Sequence, residues 1–277
     1  MSTRTRKEPW LLLLPAIALL AIGFVTPVAG MLLMSVQSPA GGFTLENFTR
    51  LFSSDYHLQA AWRSLRLGLI QTAVTLVLAI PLSYIMARSG PRVRSFLLIV
   101  IILPLMTSVV VRTFGWVVLM GPMGLLMDIP GAELLVRGTQ GFLGTEAGVV
   151  IAMVQVLLPF AVLSILGVIS GIRPQLEEAA RTMGAGFWRT LWHVVLPLSV
   201  PGIIAGASLV FVLSVSSFIT PRFIGGAQIP VFAQTIYVDA TTNLNWPFAA
   251  AQAVLLFGGV TLVLAATARL GRARVQA

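Results

Sequence analysis

Six apolar stretches, each about long enough to cross a lipid bilayer, constrain this chain more than anything else in it. They are Trp10–Val36, Leu65–Ala87, Phe96–Met120, Ala147–Gly171, Leu198–Ile219 and Phe248–Ala268. A spanning helix needs roughly 20 mostly apolar residues, and each stretch supplies them. In hydrocarbon every backbone polar group must be bonded within the protein, so such stretches become helices. The expected fold is an all-α membrane protein with six transmembrane helices in one domain over residues 1–277. Composition agrees, since 57% of the residues are apolar and only 10% are charged. A soluble domain carries about 25% charged residues. The first stretch follows Arg4, Arg6 and Lys7, as a signal peptide would. It is longer than the roughly 7–15-residue apolar region of such a peptide and reads as a retained first span. Pro15, Pro27, Pro81, Pro104 and Pro159 lie inside the stretches and predict kinked helices.

The net charge of +9 has a topological explanation. With the N-terminus inside, the inner segments hold Arg4, Arg6, Lys7, Arg88, Arg92, Arg94, Arg173, Arg181, Arg189, Arg269, Arg272 and Arg274. The outer segments and span ends hold Arg50, Arg63, Arg66, Arg112, Arg137 and Arg222. Twelve basic residues against six place both termini in the cytoplasm. Of the acids, Glu8, Glu177 and Glu178 fall inside, while Glu46, Asp55, Asp128, Glu133, Glu146 and Asp239 fall outside. The charge therefore sits on one face of a membrane, and no nucleic-acid partner is needed to explain it. There is no Cys, so disulfides and thiolate chemistry are excluded. His57 and His193 are too far apart in sequence to form a metal pair at ligand spacing.

Three connections are long. Gln37–Ser64 and Gly121–Glu146 face outward, and Ile172–Pro197 faces inward. The inward loop opens with a short helical pattern. Pro174 suits the first helical position. Glu177 and Glu178 sit near the positive helix end, and Glu177 can pair with Arg181 at i,i+4. Gly184 suits the left-handed residue just past the end. Leu176, Ala179, Ala180 and Met183 form one narrow apolar stripe. A helix of about ten residues is marginal alone in water, so the stripe needs a partner. Phe187, Trp188, Leu191 and Trp192 follow. By pattern alone the segment is either an interfacial helix with an aromatic belt or a docking element.

The spacing Glu178-Ala-Ala, three residues, Gly184, nine residues, Val194, one residue, Leu196-Pro197 resembles the signature loop of permease subunits of bacterial binding-protein-dependent ABC importers. Val194 stands where that pattern has Ile. The likeness continues in Phe43–Phe48, which resembles the family's segment before the second span, and in Val111–Trp116, Leu158–Phe160, Pro201–Gly206 and Phe218–Gly226, which resemble the spermidine/putrescine branch. The resemblance implies the type I, MetI-like permease fold and an inner-membrane location. It implies an ATPase dimer in the cytoplasm that binds ATP and Mg, a second similar permease, and a periplasmic substrate-binding protein. It casts Glu178, Ala179, Ala180, Met183, Gly184, Leu196 and Pro197 as the coupling element, with Ala179, Ala180 and Met183 as its contact face. Leu196-Pro197 would begin the next span.

No G-x-x-x-x-G-K-[ST] is present, so this chain is not itself the ATPase and needs no cofactor of its own. H-E-x-x-H and G-x-S-x-G are also absent, and no acid lies within a span. That weighs against membrane-embedded hydrolases and ion-coupled carriers. Arg112 reads as a cavity-mouth residue or a snorkelling anchor. Gln71, Thr72, Ser83, Tyr84, Gln155, Ser214, Ser216, Ser217 and Gln252 line a solute path or bond to neighbouring helices. Tyr84, Arg112, Trp116, Gln155 and Ser217 are the path candidates. Gly202-x-x-x-Gly206 marks a close helix contact, within the chain or with the second permease. The branch resemblance implies a polyamine cargo. Arg112 favours the alternative, an anionic solute such as an organic acid or phosphonate.

Overall fold

A computed structural model describes residues 13–38, 41–131 and 141–275. Arg4, Arg6, Lys7, Glu8, the start of the first stretch at Trp10, Glu133 and Arg137 lie outside the described residues, as do the side chains of Arg272 and Arg274. The regular elements are helical: α1 (Leu14–Ser35), α2 (Glu46–Ser53), α3 (Asp55–Arg88), α4 (Pro91–Ile102) and α5 (Val109–Met120). They continue with α6 (Glu146–Gly171), α7 (Pro174–Thr182), α8 (Phe187–Ser216), α9 (Ile219–Gly225), α10 (Phe232–Thr241) and α11 (Trp246–Val275). Among the described residues, five helices are long and apolar enough to cross a membrane by themselves, and a bent pair makes a sixth crossing if counted as one span. The chain divides into two compact units, residues 1–55 with 236–257, and residues 56–235 with 258–277.

In the first unit, α1 ends where Asn47 reaches it. The buried Asn47 amide donates to the carbonyls of Ser35 and Gln37 at 3.0 and 2.9 Å. It thereby satisfies acceptors that a helix end leaves open. Asp239 accepts from Asn243 at 2.7 Å and from the fully buried Gln252 at 2.6 Å. Gln252 is thus bonded within the fold. The Arg50 guanidinium lies 4.8 Å from the centre of the Phe248 ring.

In the second unit, α6 is the core helix, with Val149, Ala152, Met153, Leu157, Ala161, Val162, Ile165 and Ile169 all buried. Thr145 caps its start by accepting from Gly148 N–H at 3.0 Å. α8 packs along α6 through Gly202 and Gly206. A Cβ on Gly202 would sit 2.8 Å from Val168, and one on Gly206 would sit 3.4 Å from the Ala161 carbonyl. The small-residue pair is therefore a contact within the chain. Most interior polar groups also bond to neighbours: Gln71 accepts from Ser214 across α3 and α8, and Ser83 donates to the Val162 carbonyl at 3.2 Å. Thr72 donates to the Gly68 carbonyl of its own helix at 2.7 Å.

Three stretches differ from the sequence expectation. The second span is the later part of a 34-residue helix that begins at Asp55 rather than Leu65. At 1.5 Å per residue this helix is about 50 Å long, well beyond the roughly 30 Å hydrocarbon core. The fifth span belongs to a 30-residue helix starting at Phe187, so Leu196-Pro197 lies inside it rather than at its start. A π-turn over Leu191–Val195 precedes Pro197, and a second one over Ala21–Val25 precedes Pro27. A prolyl ring clashes with the carbonyl four residues back, and widening the preceding turn relieves it. The third stretch is not straight. Pro91–Met106 and Val109–Met120 meet at 99°. Leu103–Met106 tightens into a 3-10 turn at Pro104, Thr107 is extended, and the chain restarts as α5.

Candidate functional site

The loop from residue 172 to 197 is built much as its local chemistry dictates. Pro174 occupies the first turn of α7. Gly184 takes φ +85°, and Ala185 N–H closes the end on the Ala180 carbonyl at 3.0 Å. Any residue with a Cβ would pay about 1–2 kcal/mol for that backbone.

The buried face of α7 is not the expected stripe. Glu177 is 5% exposed and Ala180 7%, while Met183 is 83% exposed. Leu176 and Ala179 also face outward, as does Glu178. Ala180 therefore packs inside this chain, and Leu176, Ala179 and Met183 are left to meet something else. Glu177 does not pair with Arg181. Its Oε1 accepts from Arg88 Nε at 2.8 Å and lies 2.6 Å from Arg88 Nη2. Its Oε2 accepts from the Tyr84 hydroxyl at 2.9 Å. A buried carboxylate needs its lone pairs filled, and the end of α3 offers these donors where exposed Arg181 does not. The Tyr84 ring also meets Phe187 edge-on, with centroids 5.9 Å apart. Tyr84 thus stands with the loop, away from the other path candidates. A groove of about 330 Å³ runs beside α7 between Met183, Ala185, Arg189 and His193.

A second concavity, of about 500 Å³, lies at the bend between α4 and α5. Arg112 and Ser217 line it together, with Thr107, Ser216, Thr220 and Phe160. Arg112 Nη1 donates to the Pro104 carbonyl at 2.6 Å and so clasps the bend. Its Nε is buried without a hydrogen-bond partner among the described residues. No acidic residue lines this cavity among the described residues. The remaining two candidates pair with each other, Trp116 Nε1 donating to Gln155 Oε1 at 3.4 Å. Thr107 and Thr220 were not singled out by the sequence reading. The signal for Thr107 was available: Pro104 followed by Thr107-Ser108 is a helix stop and restart written inside an apolar run.

Comparison with known proteins adds four findings. The family model described as "Binding-protein-dependent transport system inner membrane component" matches residues 79–275. The spermidine/putrescine transport system permease protein PotB of Haemophilus influenzae is 32% identical over 259 residues, covering 92% of this chain and 87% of that protein. The molybdenum transport system permease protein ModB of Azotobacter vinelandii is 34% identical over 209 residues, covering 76% of this chain and 90% of that one. In fold, the chain is similar to one in the crystal structure of a bacterial alginate ABC transporter in complex with alginate pentasaccharide-bound periplasmic protein. The TM-score is 0.80 at 20% identity, over 96% of this chain and 95% of that chain.

Proposed function

The chain belongs to the family of binding-protein-dependent transport system inner membrane components, and from that premise we propose that it is the permease of an ATP-driven polyamine importer. The supporting observation is the 32% identity to a spermidine/putrescine permease across 92% of the chain. In this reading the chain acts as one permease domain, with both termini and the 172–197 loop in the cytoplasm. The exposed side of α7, with Leu176, Glu178, Ala179 and Met183, docks in a groove of a separate ATPase subunit. Gly184 lets the loop turn back toward α8. ATP and Mg are bound by a dimer of those subunits, and this chain does no chemistry. A second, similar permease completes the channel, and a periplasmic binding protein delivers the solute.

Transport then follows from rigid-body motion. Closure of the ATPase pair draws the docked helices together and reorients the spans. The solute leaves its binding protein, crosses weak sites and exits, since conduction requires that it not be held tightly. The test is the complete complex in liposomes with its own binding protein. ATP-dependent uptake of putrescine or spermidine is expected, and its absence with active ATPase would sink the polyamine assignment. Orientation is tested separately, because the chain has no Cys of its own. Ser53→Cys should react with an impermeant thiol reagent outside intact spheroplasts, and Gln175→Cys only after lysis.

One observation favours a second cargo class. Among the described residues, the cavity at the bend is lined by one charged side chain, Arg112, and several hydroxyls. Such a lining suits an anion better than a polycation. Robust uptake of an oxyanion or organic acid, weakened by Arg112→Ala, would select this reading and leave the importer assignment standing.

A further inference from the structure

The loop helix is joined to its chain neighbours by pliant joints. Ile172 and Arg173 are extended at one end, and Gly184 is left-handed at the other. A push on α7 would be partly absorbed there before reaching α6 or α8. The firm connection is lateral. Tyr84 and Arg88 lie four residues apart, on one face of the last turns of α3. Between them they deliver donors to both oxygens of Glu177, and Arg88 Nη2 also donates to the Ile172 carbonyl at 3.2 Å. Phe187 from the second loop segment packs against the same Tyr84 ring. The α3 end therefore gathers the joint before α7, α7 itself and the segment after it.

We propose that Glu177 is the positioning residue through which the loop helix drives α3 during transport. Opening the pair would strand a buried charge at large cost, so the junction moves as one body in every state of the cycle. α3 is a continuous helix of 34 residues, with Pro81 close to its loop end. Displacement at Arg88 is therefore carried along its length as by a lever. The inference rests on the importer reading, and its experiment uses readouts that do not depend on the cargo assignment alone.

The complete complex is compared with Glu177→Gln and with the exchange Glu177→Arg/Arg88→Glu. The Gln variant should bind its ATPase normally and hydrolyse ATP within about twofold of the unaltered complex. Its solute uptake should fall about tenfold. The exchanged pair should recover most of that uptake. Undiminished uptake in Glu177→Gln, or parallel loss of uptake, hydrolysis and ATPase association, would overturn the proposal. A second measurement leaves the latch intact and so needs no altered junction to fold. Spin labels at Ile85→Cys and Gln175→Cys should keep their separation within about 2 Å between nucleotide-free and ATP-trapped complexes. A change of a whole helical turn, about 5 Å, would mean that the latch opens, and would overturn it equally. If the unaltered complex itself shows no ATP-dependent uptake of any solute, the importer reading fails instead.

Discussion

The junction at Glu177 and the cavity at Arg112 both take a charge out of water, but they treat it in opposite ways. Glu177 has donors on both oxygens and a cationic partner in Arg88. Arg112 gives one hydrogen bond to Pro104, leaves a buried Nε without a partner among the described residues and lines an open cavity. A fully paired buried charge fixes two elements in register, and removing one partner is costly. A cation only partly paired, in a cavity lined with hydroxyls, holds capacity for water or solute. Under the proposed function, the difference separates a part suited to mechanical continuity from a part suited to passage.

The comparison breaks most readily at Arg88. Arg88→Ala leaves Glu177 buried with only Tyr84, and a loss of about 3–5 kcal/mol is expected. A steep fall in the apparent melting temperature of the detergent-solubilised chain would register it. A stability change under about 1 kcal/mol would show that the junction is wet and loose. Gly202→Leu supplies a charge-free control of intermediate size. Its side chain must enter space already taken by Val168 and the Ser164 carbonyl. About 1–3 kcal/mol of destabilisation is expected, with no change in the coupling of hydrolysis to uptake among molecules that fold. Arg112→Ala should have the smallest effect on stability, within about 1 kcal/mol, because the lost bond to Pro104 is offset by removing a desolvated cation. Its effect should appear in transport selectivity. A loss as large as that of Arg88→Ala would erase the distinction between the two sites.

How much of this could be read beforehand depends on how local the cause is. The fourth stretch, expected over 147–171, is the helix Glu146–Gly171, because hydropathy and a Thr145 cap fix both length and start. Pro174 and Gly184 were legible for the same reason, since each residue's own backbone preference sets its place. The partner of Glu177 was not. Arg181 is four residues away in sequence and Arg88 is 89, and only the packing of α3 beside the loop makes the distant one win. The burial of Ala180 was not legible either, because a narrow stripe does not say which of its edges the fold covers. The bend was half legible. Pro104 and Thr107-Ser108 announce an interruption, while hydropathy counts an apolar residue equally in a straight span and a folded one. The 99° angle is set by what Arg112, Thr113 and Thr220 hold in place, with the two threonine hydroxyls 3.1 Å apart.

The π-turn over Leu191–Val195 acts as a phase shifter within α8. An α-helix advances about 100° per residue, so a turn that takes in one more residue than usual rotates everything before it relative to everything after. Here the aromatic segment is set at one azimuth and the face carrying Gly202 and Gly206 at another. Phe187 can therefore meet Tyr84 while the glycines meet α6, a pairing of directions that an unbroken α-helix of this sequence would not offer. Deleting a single residue from the π-turn would leave the helix long enough to span and just as apolar. It would close the turn into ordinary α-helix and leave Phe187 near its ring, whereas straightening the turn with no residue removed would swing Phe187 away by roughly a quarter of a revolution.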